Sequence, residues 1–582
     1  MFRNYLLTSL RHLWHQRTYT ALNLGGLTVG LTVALLLLMW VQDERSYDRM
    51  HARLDNLYRV NAVVDAKENL IWSNTQGPVA PYAKREVPGV ADAVRVGGYW
   101  NLSRIIADGT TYFDASGKYV DASFFTAFSF PMRAGDAAAP FPNLQSVVVT
   151  EAAAARYFNT TDALGKVIST DDSTHFTVSG VLADLPTNST IQGELFFPFR
   201  RLYARYDGTG YWKDLESDWG NYNYHTYLLL DPTADPQTVA ARMTDIATGQ
   251  HIEATVELSY RLQPLADLHL YGPDGAEAGA AEVRIFFGVA LIILLIAAIN
   301  YVNLTTARAT HRAREVGVRK VIGAGRGQLF GQFLGESALM FLMAVALTLL
   351  IVSLLMPLYN ELSGKELQFN PLDPAVLSLV GGAFAFTLLP AGIYPALLLS
   401  GFRPTAALKG QLRTGRGTVA FRRTLVVTQF VFSIVLIAGT LVITRQMRYV
   451  REMKLGFDRE HVLTVWMNDM RPHYAQIRDE LLKHPAVRGV TTANQHLIRV
   501  NNSTGDTDWE GKPEDLSFIL HPVGIDARFI DLMGIEMVAG RGFTGAPADS
   551  VHVILNETTV RRAGITDPIG KRFSLWDTDA TI

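Results

Sequence analysis

Side chains able to act as nucleophile, general base or metal ligand are thinly spread along this sequence and poorly grouped. No Ser/His/Asp set, H-E-x-x-H run or pair of convergent carboxylates stands out. His12 and His15 stand three apart with no third ligand in view, a spacing that reads as an interfacial pair rather than a metal site. Cysteine is absent, which removes thiol nucleophiles, disulfide frameworks and Cys-ligated metal sites together. A phosphate-cradling loop needs Gly-Lys followed by Ser or Thr, yet each Gly-Lys here is followed by Tyr119, Val167, Glu366, Pro513 or Arg572. No catalytic, cofactor-binding or metal residue is assigned, and the chain does not read as an enzyme.

The polar residues that remain of interest lie in apolar surroundings. Asn300 and Asn303 fall late in a long apolar run, where amides either hydrogen-bond across packed helices or line a substrate path. Glu336 opens another such run; an ionisable group at that depth is a functional candidate, or is solvated at the interface.

These runs dominate the organisation. Hydrophobic residues make up 48% of the 582 and charged residues 19%, a balance that suits bilayer spans joined to large water-facing domains. The formal net charge of −2 supplies no basic field for nucleic acid, which is excluded as a partner. Spans are expected at 18–42, 285–307, 328–359, 374–402 and 424–444, because about 20 apolar residues cross the hydrocarbon core. Pro390 and Pro395 should bend the fourth.

Loop charge sets the orientation. Arg3, Arg11 and Arg17 precede the first span without an acid; Arg308, Arg312, Arg314, Arg319, Lys320 and Arg326 face Glu315 alone; and 403–423 carries Arg403, Lys409, Arg413, Arg416, Arg422 and Arg423. Asp43, Glu44 and Asp48 follow span one, and Glu361, Glu366 and Asp373 lie between spans three and four. The positive-inside rule then places the N-terminus and 308–327 in the cytosol and 43–283 and 445–582 outside, with Arg445, Arg448, Arg451 and Lys454 the one departure. The first span lacks a small-residue cleavage site and is expected to stay as an anchor. Residues 1–17 suit an amphipathic helix at the inner interface or a plain extension of that span.

The insert 43–283 reads as mixed α+β, with strand-like runs at Ser146–Thr150, Phe176–Leu182 and His225–Leu230 and helix-like runs at Glu151–Phe158 and Gln237–Ile246. Part of it recurs. Residues 120–166 align with 525–571, matching Asp121 to Asp526, Phe124 to Phe529, Gly135 to Gly540, Glu151 to Glu557, and Gly165-Lys166 to Gly570-Lys571. The repeat unit is a span followed by a domain, and its first copy continues well beyond the matching point, so the second domain is expected to be incomplete at 582, with about 200 further residues and three more spans beyond it.

The segments Ala298–Met340 (AINYVNLTTARATHRAREVGVRKVIGAGRGQLFGQFLGESALM), Tyr394–Gly410, Phe421–Ile437 and Lys454–Leu463 resemble the MacB/FtsX-like family of ABC transporter permeases with its periplasmic core domain. The resemblance implies an α-helical polytopic protein of the bacterial inner membrane with α+β extracytoplasmic domains between spans one and two and after span five, akin to duplicated eight-span members. It also implies ATP and Mg held by a separate ATPase subunit, with room for a periplasmic adaptor or outer-membrane component. Export or mechanical extrusion of a substrate follows as the expected function; an FtsX-like transducer acting on a periplasmic hydrolase or sensor, or a scaffold, is the alternative.

Within that frame the cytosolic segment Arg312–Arg326 is the expected coupling element. Glu315 and Arg319 stand in the favourable acid-first i, i+4 order. Val316, Val318, Val321 and Ile322 offer apolar contact, and Gly323 and Gly325 can stop the helix sharply. The expected docking residues are Arg314, Glu315, Val316, Gly317, Val318, Arg319, Lys320, Val321, Gly323 and Ala324.

Overall fold

A computed structural model describes residues 15, 17–66, 69–170, 174–205, 214–250, 258–307, 309–401, 416–453, 455–457, 461–496, 500, 502–513, 516, 518–576 and 578–582. His12, nearly all of the helix expected over 1–17, and residues 402–415 of the linker lie outside them. Two units are present: a helical one built from 1–54, 186–192 and 265–448, and a second from 55–185, 193–264 and 449–582.

In the helical unit, Arg17–Arg45, Ala280–Ala307, Arg326–Ser363, Pro374–Ser400 and Val419–Glu452 are long and apolar enough to cross a membrane; they are called spans one to five. Spans two, three and five outrun the apolar stretches that mark them, because a helix continues wherever flanking residues favour it while the hydrocarbon requires only about 20 residues. Span four runs through Pro390 and Pro395 as one helix. Its first turn is capped by Asp373, whose carboxylate accepts from the Ala375 N–H at 2.7 Å.

Lipid offers no hydrophobic drive for helices to associate, so they rely on close packing and shared hydrogen bonds. Spans one and two meet at small residues: a Cβ on Gly30 would fall 2.7 Å from Ala297 Cβ, and one on Gly26 3.1 Å from Asn300 Nδ2. Tyr19 and Thr305 share a hydroxyl hydrogen bond of 2.8 Å. Tyr301 donates to Ser337 in span three at 2.9 Å, and Tyr359 donates to the Leu36 carbonyl at 3.1 Å. Leu27, Leu31, Ala34, Leu294, Phe341 and Ala344 fill the space between.

The insert domain is built on one mixed sheet. Its main path runs Ser259–Pro264, Leu57–Asp65, Tyr222–Leu230, Val90–Ala107, Thr110–Val120, Leu195–Pro198, Ser146–Thr150, His175–Leu182, Met132–Ala134. Neighbours are antiparallel except where Leu195–Pro198 joins Thr110–Val120 and where Ser146–Thr150 joins His175–Leu182. Each of residues 146–150 is buried, as a strand covered on both faces must be. Helix Glu151–Phe158 follows at once, with Thr150 Oγ1 accepting from the Ala153 N–H, and packs Ala153, Ala154 and Tyr157 against Val147, Val149, Phe176 and Phe197. Helices Val79–Glu86 and Pro236–Gln250 cover another part of the sheet through Val79, Ala83, Val239 and Met243. The mixed α+β reading of this insert is what its strands and helices show.

The repeat is present in the backbone as well as in the letters. Phe124 N–H reaches Asp121 O at 3.0 Å and Phe529 N–H reaches Asp526 O at 3.2 Å, each opening a single helical turn. Gly135 and Gly540 both sit at positive φ, 94° and 76°, where only glycine is unstrained. Glu151–Phe158 has its counterpart in Glu557–Ala563, capped by Asn556 in place of Thr150. Gly165 N–H bonds Val178 O at 2.8 Å and Gly570 N–H bonds Ile582 O at 3.0 Å. The partner of the leading aspartate differs: Asp121 pairs with the Arg95 guanidinium at 2.9 Å, whereas Asp526 accepts from the Tyr474 hydroxyl at 2.8 Å.

The contact at Gly30 yields a test. Gly30→Leu should lower the thermal stability of the detergent-solubilised chain, since overpacking costs about 1–3 kcal/mol. Gly25→Leu, where a Cβ meets nothing within 4 Å, should leave it unchanged; equal melting temperatures for the two variants would refute this packing.

Candidate functional site

Between spans two and three the chain forms a second, short helix, Ala309–Val321, which carries Arg312 and Arg314. Its favourable acid-first pair is made: Arg319 Nη2 lies 2.7 Å from Glu315 Oε1, a contact that adds about 0.2–0.5 kcal/mol on an exposed helix. The helix ends as the glycines require. Ala324 N–H bonds Arg319 O at 2.9 Å and Gly323 N–H bonds Lys320 O at 3.1 Å, with Gly323 at φ 104°; this is the Schellman stop, in which a left-handed residue lets two terminal carbonyls be satisfied. Gly325 then leads directly into span three, its N–H donating to Gln328 Oε1 at 3.1 Å.

The short helix is fastened to two spans. Arg319 Nη1 donates to Gln332 Oε1 at 2.7 Å, and Gln332 Nε2 donates to Glu336 Oε1 at 3.2 Å, so that Glu315, Arg319, Gln332 and Glu336 form a continuous polar chain from the short helix into span three. Lys320 Nζ donates to the Ser400 carbonyl at the end of span four at 2.7 Å, where a cation complements the carbonyl-rich helix terminus. Burial, with the positive charge of Arg326 nearby, holds Lys320 below the ordinary lysine range. Val316 is 1% exposed and packs with Leu329 and Phe333 of span three and Ala396 and Leu399 of span four.

This placement corrects one expectation. Val316, one of the expected docking residues, belongs to the protein's own core, and Gly317 is buried beside it. The remaining apolar residues point away: Val318 is 47% exposed, Val321 66% and Ile322 80%. Residues 318, 321 and 322 are i, i+3 and i+4 on one face, while 316 lies about 200° round the helix from 318; that spacing is the signal that separates them. Asn300 and Asn303 are not brought to this site. Asn300 faces Gly26, and Asn303 Oδ1 is buried without a hydrogen-bond partner among the described residues. Gln332, Ser400 and the Leu329–Leu399 cluster were not anticipated, because nothing in the sequence sets which turn of spans three and four lies beside residue 319.

Comparison with known proteins places this helix in a family context. The MacB-like periplasmic core domain model matches residues 20–246 and the FtsX-like permease C-terminal model matches residues 287–404, which enclose the short helix and spans three and four. The chain belongs to the MacB/FtsX-like family of ABC transporter permeases. Among its relatives, an uncharacterized ABC transporter permease, YknZ, of Bacillus subtilis is 22% identical over 307 residues, 52% of this chain and 66% of that protein. A macrolide export ATP-binding/permease protein, MacB, of Sodalis glossinidius is 25% identical over 208 residues, 35% of this chain and 32% of that one. A solved domain of a permease protein from Porphyromonas gingivalis is 26% identical, covering 37% of this chain and 92% of that one with a TM-score of 0.31. The matched part of this permease thus spans between about a third and two thirds of those two curated relatives. Its apolar helices and large insert are those of a multi-pass membrane permease with an extracytoplasmic domain.

The division of the valines is testable by stability alone. Val316→Ala should destabilise the permease by about 1–3 kcal/mol through lost core contact, read as a lower melting temperature in detergent, while Val318→Ala should have no effect; the reverse order would place the wrong residue in the core.

Proposed function

We propose that the chain is the permease subunit of an ABC transporter, and that its short helix and turn, residues 309–325, dock on a separate ATPase subunit whose cycle drives export or mechanical extrusion of a substrate. The observation that carries this reading is the exposed face of Val318, Val321 and Ile322 on a helix anchored to two spans. A face of that kind fits an apolar groove in a soluble partner, and a push on it is delivered to spans three and four through Val316, Gln332 and Ser400. ATP and Mg are held by the partner. The basic content of 308–327 puts the segment, and the N-terminus, on the cytosolic side, where nucleotide is available.

Val318→Asp tests it. The aspartate should weaken co-purification with the ATPase subunit by at least about tenfold, the size of a 1.4 kcal/mol interface contact, with normal membrane insertion, whereas Arg326→Gln should be mild. Undiminished association of Val318→Asp with the ATPase, together with unchanged transport in vesicles, would remove the segment as the docking element.

A further inference from the structure

Span three begins at the coupling turn and ends, 38 residues on, at a second set of contacts that the coupling reading does not use. Gly364 closes the helix at φ 66°, and the next residue, Lys365, turns onto the end of span one. Its Nζ lies 2.6 Å from Glu44 Oε1 and 2.8 Å from Asp43 Oδ2. The three side chains are between 10% and 16% exposed, too little for water to screen the pair as it does a surface ion pair. Burial disfavours the ammonium, but the two carboxylates outweigh it and hold Lys365 above the ordinary lysine range.

The same carboxylate reaches further. Glu44 Oε2 accepts from His269 Nε2 at 2.5 Å, and the His269 ring lies flat on Tyr47, with centroids 3.4 Å apart and planes 2° from parallel. In the turn just past span one, Asp48 accepts from the Thr190 N–H at 2.9 Å, the Thr190 hydroxyl at 2.7 Å and the Ser189 hydroxyl at 3.1 Å. His269 belongs to the segment that leads from the last insert strand into span two, and Ser189 and Thr190 to a loop interrupting the insert. A single lysine thereby ties the end of span three to span one, to the approach to span two and, through Tyr47 and Asp48, to a loop of the insert.

We propose that Lys365 is a positioning residue, the clamp through which displacement of span three at the coupling turn is passed to the segments that hold the insert domain. The inference rests on the coupling reading above and adds the opposite end of the lever. Span three is one helix from Arg326 to Ser363 that runs on through Pro357 near its far end, so movement at Arg326 is carried toward Ser363; the largely buried ion pairs fix that end to Asp43 and Glu44, and the Glu44–His269 bond carries it to the chain entering span two. Removing the lysine leaves two carboxylates facing each other in a poorly solvated place, which separates them.

The test uses the full chain with its ATPase subunit in vesicles. Since the chain has no cysteine, Asp274→Cys, on the exposed turn after His269, can carry an environment-sensitive fluorophore. MgATP with vanadate should change its emission in the otherwise unaltered chain. Lys365→Met should reduce that change by at least about fivefold, the lower end of ordinary coupling between sites, while ATPase binding stays intact, and Lys365→Arg should restore it. A purely structural lysine would instead lower the melting temperature and leave the MgATP response in place. Should Lys365→Met not reach the membrane, Glu44→Gln must diminish the response and Glu44→Asp must recover it. A full response in Lys365→Met or in Glu44→Gln overturns the clamp alone; no response in the unaltered chain overturns the coupling reading and the clamp with it.

Discussion

Span three is a single helix from Arg326 to Ser363, its ladder missing only the N–H of Pro357, and both of its ends are held by side chains of other elements. A helix of this length, about 57 Å at the usual rise, is nearly twice as long as the hydrocarbon is thick, long enough for its two ends to reach water on opposite sides of a bilayer. Spans one, two and four and the short helix pack against it. The short helix grips its first turns through Val316, Arg319 and Gln332; spans one and two grip its middle through Phe341, Ser337 and Thr348; and Lys365 fastens its far end.

The chemistry of the contacts follows their depth. Near the middle of the spans the contacts are made by methyl groups, aromatic edges and neutral hydroxyls, because a charge there would be costly. Among the described residues of this unit, ion pairs lie at the ends of the spans, Glu315–Arg319 at one side and the Lys365 set and Arg284–Glu277 at the other. Pairs at these depths are partly shielded from water and so hold geometry better than fully exposed ones, while the neutral interior lets helices slide by small amounts without stranding a charge. Spans one and two gain their closeness from Gly26 and Gly30, whose missing side chains admit Asn300 and Ala297.

Much of this could be read from the letters. SVVVT reads as strand-like and EAAAARYF as helix-like, and those residues form a strand and a helix. Gly323 can end a helix, since it is free to take positive φ, and it does so at 104°. What could not be read is partner choice between distant segments. Glu44 looked like one of several acids in a polar loop, yet it meets Lys365, more than three hundred residues away, and His269. Arg319 looked like a docking cation, yet it meets Gln332. Such pairings depend on the rotation of each helix about its own axis, which the packing of the whole bundle fixes. Val316 is the intermediate case: its angular distance from Val318 was available in the sequence, but apolar type alone had grouped the two.

The central claim is that the exposed face of the short helix meets an ATPase on the cytosolic side. A single cysteine at Ile322, introduced into a chain that has none and carrying a photoactivatable cross-linker, tests side and partner together. The account predicts that the residue is shielded from an impermeant thiol reagent in intact spheroplasts and, in opened membranes, cross-links to the ATPase subunit in a manner lost in the Val318→Asp background. Labelling from outside in intact spheroplasts, or cross-linking that is indifferent to Val318→Asp, would contradict it.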